Sequence, residues 1–321
     1  MRPSLSRFKV FLKSRSLFRN WLKAGLRYML IKHGLAMEGI DVAFRCGSKA
    51  KLSSPTYSWL VKKYSDGLIE DIVCDENIYI LYTPRRGIEV DIELGDKAKA
   101  EFNYLDKKVA LVLDDLLSII DDIILENFYG GAYNDLNVES RVIVDVGAGV
   151  GDTAVLFTLR GARKTIALEP YLGIYSIALE NVKLNNISDR VILLNAGLGG
   201  HDGYICVSEP TPRGYYPLKP GISEECLAKA RIYSLKSLVD EYSIRDAVLK
   251  MDCEGCEYDV FAKAEDDIIR RFEQIEIEYH NGYSFLEKRL RELGFETRIK
   301  PIISIQRPVE VQGYVIAKRR S

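Results

Sequence analysis

The stretch VIVDVGAGVGDTA, residues 142–154, constrains the fold of this chain more than any other. A β-branched apolar run leads into three glycines at alternate positions, Gly147, Gly149 and Gly151, with Ala148 and Val150 between them. The apolar run reads as a buried strand. The glycines let the backbone turn sharply and approach a ligand closely. DTAVLFTLRG then has the texture of a helix, with Asp152 as the expected N-cap and Gly161 as the expected stop. A strand, a glycine turn and a helix in this order predict an α/β protein with a doubly wound, Rossmann-like sheet.

The rest of the chain extends that pattern. TIALEP, RVILLNAG, DAVLKMD and QIEIEYH read as further strands, and YSIALENVKLNNI, DVFAKAEDDIIRRF and FLEKRLRELG as helices between or after them. FETRIK and VQGYVIAKR predict a terminal antiparallel hairpin. Alternating strands and helices make the sheet mainly parallel. Ligands in such sheets bind beyond the carboxyl ends of the strands, where the strand order reverses.

The loop chemistry narrows the ligand. Its spacing is G-x-G-x-G rather than the G-x-G-x-x-G of dinucleotide sites, and Asp145 precedes the first glycine by two positions. An acid there disfavours a pyrophosphate and suits an ammonium. Asp152 and Thr153 at the helix start can bind a carboxylate or cap the helix. Glu169, followed by Pro170, closes the second strand eighteen positions after Gly151, where an acid can accept both hydroxyls of a ribose. Asn195 and Ala196 close the third strand, where an adenine would lie. Together these specify S-adenosylmethionine better than NAD. The bland alternative is a tight glycine turn beside ordinary strand-end acids.

KMDCEGCEYD, residues 250–259, follows an apolar run and holds four carboxylates and a Cys-x-x-Cys pair. Structural zinc would need a second close pair of Cys or His, and none exists, so no metal site is expected. A redox pair at the start of a helix is the other use for Cys253 and Cys256. Small buried core residues are the expected reading. The six cysteines are scattered, no secretory signal is evident, and a reduced cytoplasmic protein is expected.

Taken together, VIVDVGAGVGDTAVLF, IALEP, NAGLGG and LKMDCEGCE resemble the FkbM-type methyltransferases, a branch of the class I S-adenosylmethionine-dependent enzymes. The likeness covers roughly residues 120 to 318, with ILENFYGGAYNDL as the lead-in. It implies methyl transfer to a hydroxyl on a sugar, glycan or other small acceptor. It also implies that the first, fourth and fifth strands lie side by side, bringing the strand ends at Asp145, Asp252 and Glu278/His280 together. Asp252 and His280 are then the candidate bases, with Glu254 and Glu278 orienting the acceptor. A structural alternative has Asp252 merely holding Lys250 or a turn. Glu257 and Asp259 are expected in the first turn of a helix, where negative charge is favourable. The cysteines occupy the variable slots of the family's K-x-D-x-E-G-x-E segment. SLKSL, residues 234–238, departs from the family's usual T-L-D-x-L through Lys236.

Ahead of this domain, residues 1–38 read as a basic amphipathic helical arm and residues 39–119 as a small mixed α/β lead-in, leaving 120–321 for the methyltransferase fold. LVLDDLLSIIDDIILENF, residues 111–128, has helical apolar spacing. Residues 1–33 carry nine Lys or Arg and no acid, so the remainder holds 45 − 9 = 36 basic against 46 acidic residues. Basic residues interrupt every apolar run of the arm, which excludes a membrane span there. Packing on its own domain is the plain use of the arm. An anionic membrane surface or a nucleic acid would also suit it. LENVKLNNISDRV also looks like tRNA-methylating class I enzymes, so an RNA methyltransferase is the second reading and a non-catalytic cofactor-binding or membrane-peripheral protein the third. Between strands, the Pro-, Gly- and Tyr-rich residues 207–231 read as a binding loop, with Arg213, Tyr215, Tyr216 and Lys219 as acceptor contacts.

Overall fold

The computed structural model describes residues 5–113, 117, 119–207, 228–302 and 312–320. Arg213, Tyr215, Tyr216 and Lys219 lie outside the described residues. The chain forms two compact units, Met1–Gly130 and Gly131–Ser321.

The first unit opens with α1 (Leu5–Leu17) and α2 (Trp21–Lys32), followed by the hairpin β1 (Ile40–Ala43) and β2 (Lys49–Leu52) and by α3 (Ser54–Ser65). Ser53 caps α3 by accepting from the Thr56 amide, with Pro55 in the first turn where its missing N–H costs nothing. An antiparallel five-stranded meander follows: β3 (Ile69–Cys74), β4 (Ile78–Arg85), β5 (Ile88–Leu94), β6 (Ala98–Tyr104) and β7 (Lys107–Val112). Along β5, Ile88, Val90, Ile92 and Leu94 are buried while Glu89 and Asp91 face water, the period-two pattern of a one-sided sheet. The basic arm is anchored in this unit by the buried Phe18, whose ring meets Phe44 and Tyr57.

The expected helix over 111–128 is corrected. Leu111 and Val112 complete β7, paired with Ala100 and Lys99, and among the described residues the coil runs from residue 119 through 121 into a wide π-type turn at Asp122–Phe128. Apolar spacing alone does not separate a strand end from a helix start.

The second unit holds the parallel sheet: β8 (Val142–Val146), β9 (Lys164–Leu168), β10 (Val191–Leu194), β14 (Ala247–Met251) and β15 (Phe272–Tyr279). Its order is β10-β9-β8-β14-β15-β17-β16, with β16 (Phe295–Pro301) and β17 (Gly313–Arg319) as the antiparallel closing pair. The order reverses between β8 and β14, which places the ligand crevice there. The helices are α4 (Asp152–Leu159), α5 (Leu172–Leu184), α6 (Leu235–Glu241), α7 (Cys256–Lys263), α8 (Asp266–Ile269) and α9 (Ser284–Glu292). RVILLNAG proves to be two strands. The chain leaves the main sheet at Asn195, and β11 (Ala196–Gly199) joins β13 (Ala228–Ser234) and β12 (Gly203–Val207) in a separate three-stranded sheet. The helix expected across DVFAKAEDDIIRRF breaks at the extended residue Ala264.

The reduced set of cysteines is also corrected. Cys46 and Cys74 are joined, as are Cys253 and Cys256, and Cys206 is disulfide-bonded. Cys46 and Cys74, 28 residues apart, meet only through the fold, whereas Cys253 and Cys256 form the close pair whose spacing also allowed a redox use.

Candidate functional site

The glycine loop sits at the end of β8 and is tied to its neighbours by backbone. Gly147 and Ala148 both donate to the carbonyl of Leu168, the last residue of β9. Gly147 has φ +75°, and a Cβ there would lie 1.8 Å from the carbonyl oxygen of Asp252. No other residue fits. Gly151 (φ +82°) backs onto Ala178 of α5 and is itself the N-cap of α4, so Asp152 is the first helical residue rather than the cap. Gly161 ends the same helix as expected, in a left-handed turn.

Behind the loop, Asp145 is fully buried in β8 and faces Lys250 of β14 across a 3.0 Å ion pair, the two residues standing in register. Thr153 donates a 2.6 Å hydrogen bond to the other oxygen of Asp145, and Lys250 donates to the Gly147 carbonyl at 2.7 Å. The Lys250 ammonium also lies 5.6 Å from the ring centre of the buried Tyr133. Burial pulls the Lys250 pKa down, but the charges of Asp145 and Asp252 outweigh it and the net direction is up. Asp145 therefore is a partnered carboxylate, and Lys250 is held by Asp145 rather than by Asp252.

Glu169 closes β9 and is buried to 3% exposure. Its carboxylate accepts from the Gly149 amide at 3.1 Å and the Tyr171 amide at 2.9 Å. Burial nevertheless raises its pKa to about 7, against the lowering effect of both amides and of Lys250. Asn195 donates from its side chain to the carbonyls of Glu169 and Pro170 and so pins the end of β9 to the break between β10 and β11. Ala196 opens β11, buried. Of the residues expected to hold a cofactor, Gly149 and Asn195 are thus hydrogen-bonded directly to Glu169, while Gly147 and Ala148 reach the same strand end through Leu168.

On the other side of the switch point, the acidic segment leaves β14 through a left-handed turn, with Glu254 at φ +57° and Gly255 at φ +122°. A left-handed glutamate is strained, and such strain concentrates at functional sites. The turn swings Glu257 inward. Though it lies in the first turn of α7 as expected, Glu257 is completely buried, accepts from the Cys253 amide and approaches Nδ1 of His280 at 3.3 Å. His280 stands just past β15, and its Nε2 lies 3.7 Å from carboxylate oxygens of Asp252, Glu254 and Glu278 alike. Four acids thus surround one imidazole. Burial lowers the His280 pKa, but the Glu257 contact and the charges of Glu254, Glu257 and Asp252 overcome that and lift it to about 9. Its ring is therefore a cation at neutral pH. Burial raises the Asp252 pKa, with Lys250 and His280 opposing it. Burial also lifts Glu278 to about 7, added to by Asp252 and opposed by the 2.8 Å hydrogen bond from Gln312. Asp252, Glu278 and His280 each bring one donor atom within 4.8 Å of the others, a spacing that could take a metal ion only once the ring had given up a proton.

Residues 145–297 match the family model of the methyltransferase FkbM domain. This segment is similar to FkbM-type methyltransferase domains. A 105-residue stretch is 30% identical to protein arginine N-methyltransferase 6 of Danio rerio, covering 32% of this chain and 29% of that protein. The chain thus spans under a third of the length of the curated relative it matches. Among solved structures, TYW2 of M. jannaschii in complex with AdoMet covers 70% of this chain and 87% of its own at 14% identity and a TM-score of 0.40. Precorrin-6y C5,15-methyltransferase of Geobacter metallireducens covers 58% and 85% at 12% identity and a TM-score of 0.35. Likenesses this distant carry no argument about function, and the fold rests on the strand order itself.

Three residues of the second unit escaped sequence reasoning. Glu257 was expected only as a favourable charge at a helix start. Lys250 is the lysine of the family's K-x-D-x-E-G-x-E segment, a signal that could have nominated it. Gln312 has no sequence signal at all, since only the pairing of β15 with β17 brings it to Glu278. The departure at Lys236 is harmless, because Ser234 caps α6 while Ser234 and Ser237 both donate to Asp202. Lys236 instead reaches Asp240 one turn on.

Proposed function

We propose that the chain methylates a hydroxyl group on a sugar, glycan or other small acceptor. The observation that carries this reading is the unbalanced cluster of Asp252, Glu254, Glu257 and Glu278 around a single imidazole beside the loop that holds the cofactor. Such a cluster suits a polar, hydroxyl-rich acceptor that arrives with protons to donate to carboxylates. S-adenosylmethionine, when bound, supplies an electrophilic methyl group.

The residues fit that cofactor. Gly147 and Gly149 leave backbone open at the strand end, Glu169 offers the acid for a ribose diol, and Asn195 fixes the adenine side. Asp152 and Thr153, at the start of α4, stand where a carboxylate would be bound. Asp145 and Lys250 act together, their pair setting the height of the loop, and the ammonium that Asp145 serves is that of Lys250.

Acceptor chemistry falls to the second cluster. Asp252, raised by burial and with a carboxylate that has no hydrogen-bonded partner among the described residues, accepts the acceptor's proton. His280, protonated and braced by Glu257, orients Asp252 and Glu278. Glu254 and Glu278 accept from neighbouring hydroxyls and so align the reacting oxygen. Both cofactor and acceptor would lie at the β8–β14 switch point.

The test is transfer of labelled methyl from S-adenosylmethionine to a panel of glycans and small polyols, with tRNA and an arginine-rich peptide alongside. Label in a sugar hydroxyl, lost in Asp252→Asn while S-adenosylhomocysteine still binds, is expected. Label confined to tRNA or to arginine would overturn the acceptor class. With disulfides in both units, a cytoplasmic setting is consistent with a cytosol that tolerates them, as those of hyperthermophiles do.

A further inference from the structure

The basic arm is spent neither by the fold nor by the proposed chemistry. Its second helix, α2, is held down on one side only. Ala24, Gly25 and Ile31 are buried, and Gly25 leaves no room for a Cβ against the ring of Phe11. Arg27 donates to the carbonyls of Met37 and Gly39, and Asn20 bridges to Asp41 and Ala43 of β1. The helix is therefore fixed in orientation.

Its other side is apolar and bare. Leu22 (61% exposed), Leu26 (62%) and Met29 (49%) follow one another at i, i+4 and i+7, a single stripe along the helix. Lys23 borders the stripe on one flank and Lys32 on the other, both exposed. Six of the fourteen large apolar side chains exposed among the described residues fall between Leu12 and Met37, a twelfth of the chain. No acid precedes Glu38 in the sequence, while nine Lys or Arg do. Scattered exposed leucines need no explanation, but a row of them between lysines on an anchored helix does.

We propose that α2 docks on an anionic lipid bilayer, lying in the plane of the interface. Leu22, Leu26 and Met29 enter the boundary between headgroups and acyl chains, and Lys23 and Lys32 reach lipid phosphates on either side. A nucleic acid would use the same charges but leave the stripe in water, so the apolar row favours lipid. No helix of the described residues is long and apolar enough to cross a membrane, and the attachment is to the surface.

The test uses the full chain and sedimentation with vesicles, either phosphatidylcholine alone or an equal mixture with phosphatidylglycerol. The wild type should pellet with the mixed vesicles, weakly with the neutral ones, and less as salt is raised. Leu22→Asn, Leu26→Asn and Met29→Asn combined should weaken binding by at least about tenfold, and Lys23→Glu with Lys32→Glu by a similar factor. Both sets alter exposed side chains, and unchanged circular dichroism and S-adenosylhomocysteine binding will show that the fold persists. A wild type that ignores mixed vesicles overturns the proposal, as does full binding by the asparagine variant. A salt-sensitive shift of RNA that survives the asparagine changes, without vesicle binding, would make the surface a nucleic-acid site instead.

Discussion

Two charge clusters stand one strand apart in the second unit, and they are built on opposite plans. Asp145 and Lys250 form a closed account of charge: one acid, one base, both almost wholly buried, at 3.0 Å, with Thr153 and the Gly147 carbonyl completing their hydrogen bonds. Around His280 the sum does not close. Four carboxylates face one imidazole, three of them at 3.7 Å and none nearer than 3.3 Å. The balanced pair has nothing left to offer a ligand and serves to fix the backbone. The unbalanced cluster has surplus acceptors, distances with slack, and a strained turn at Glu254 to hold it. Charge balance separates scaffold from site here better than charge density does.

That contrast can be broken most severely at the pair. Lys250→Met should destabilise the protein by about 3–5 kcal/mol, because it leaves the buried Asp145 charge uncompensated. Adding Asp145→Asn should restore much of that loss, a coupling that denaturant melts of the single and double variants will measure. Equal losses for the two changes, simply summed, would mean that the pair is not a unit.

At the open cluster the balance of effects should reverse. Asp252→Asn removes one of several like charges, so stability should move by about 1 kcal/mol or less. Turnover should fall by roughly 10²–10⁴-fold. A melt as damaging as that of Lys250→Met would erase the distinction between the clusters.

Glu169, buried and proposed above as the acceptor of a ribose diol, lies between these extremes. Glu169→Gln should weaken S-adenosylhomocysteine binding by about tenfold in calorimetry, the scale of a hydrogen bond to a charged acceptor. Its folded pKa of about 7 lies above the usual carboxylate value, so ionisation is disfavoured by folding. The sign follows: this group's contribution to stability is full at low pH and is lost as pH rises through about 7, in the cofactor-free protein. Cofactor affinity should show the opposite trend, since the diol needs the carboxylate. Smallest of the expected effects, binding should weaken gradually as pH falls from 8 towards 6 by roughly a pKa unit's worth of protonation, and Glu169→Gln should flatten the profile.

The sheet and half of the site were legible in the sequence because both are written locally. A β-branched run into alternate glycines dictates strand and turn, and Glu169 follows at a countable distance. Burial of β14 reads from its apolar start Ala247–Leu249, whereas β15 alternates and the burial of its Gln274 and Glu276 does not show in the sequence. What escaped depends on direction rather than spacing. Glu257 turns inward because Glu254 and Gly255 take left-handed conformations, and no periodicity announces that. Asn195 marks the passage from one sheet to another inside VILLNAGLG, a change of sheet that spacing does not reveal, since β11 pairs with β13. The joining of Cys46 to Cys74 depends on the first unit bringing together residues 28 apart.

The contact between Gly147 and the Asp252 carbonyl has one further consequence. Nothing larger than a hydrogen atom fits there, so the rim that carries the cofactor and the rim that carries the acceptor rest on a common fulcrum. With Glu254 and Glu278 as the proposed acceptor contacts, substrate preference can drift through those side chains, whereas the backbone level at 252 is locked to the loop. A lineage built on this frame can change what it methylates far more readily than where.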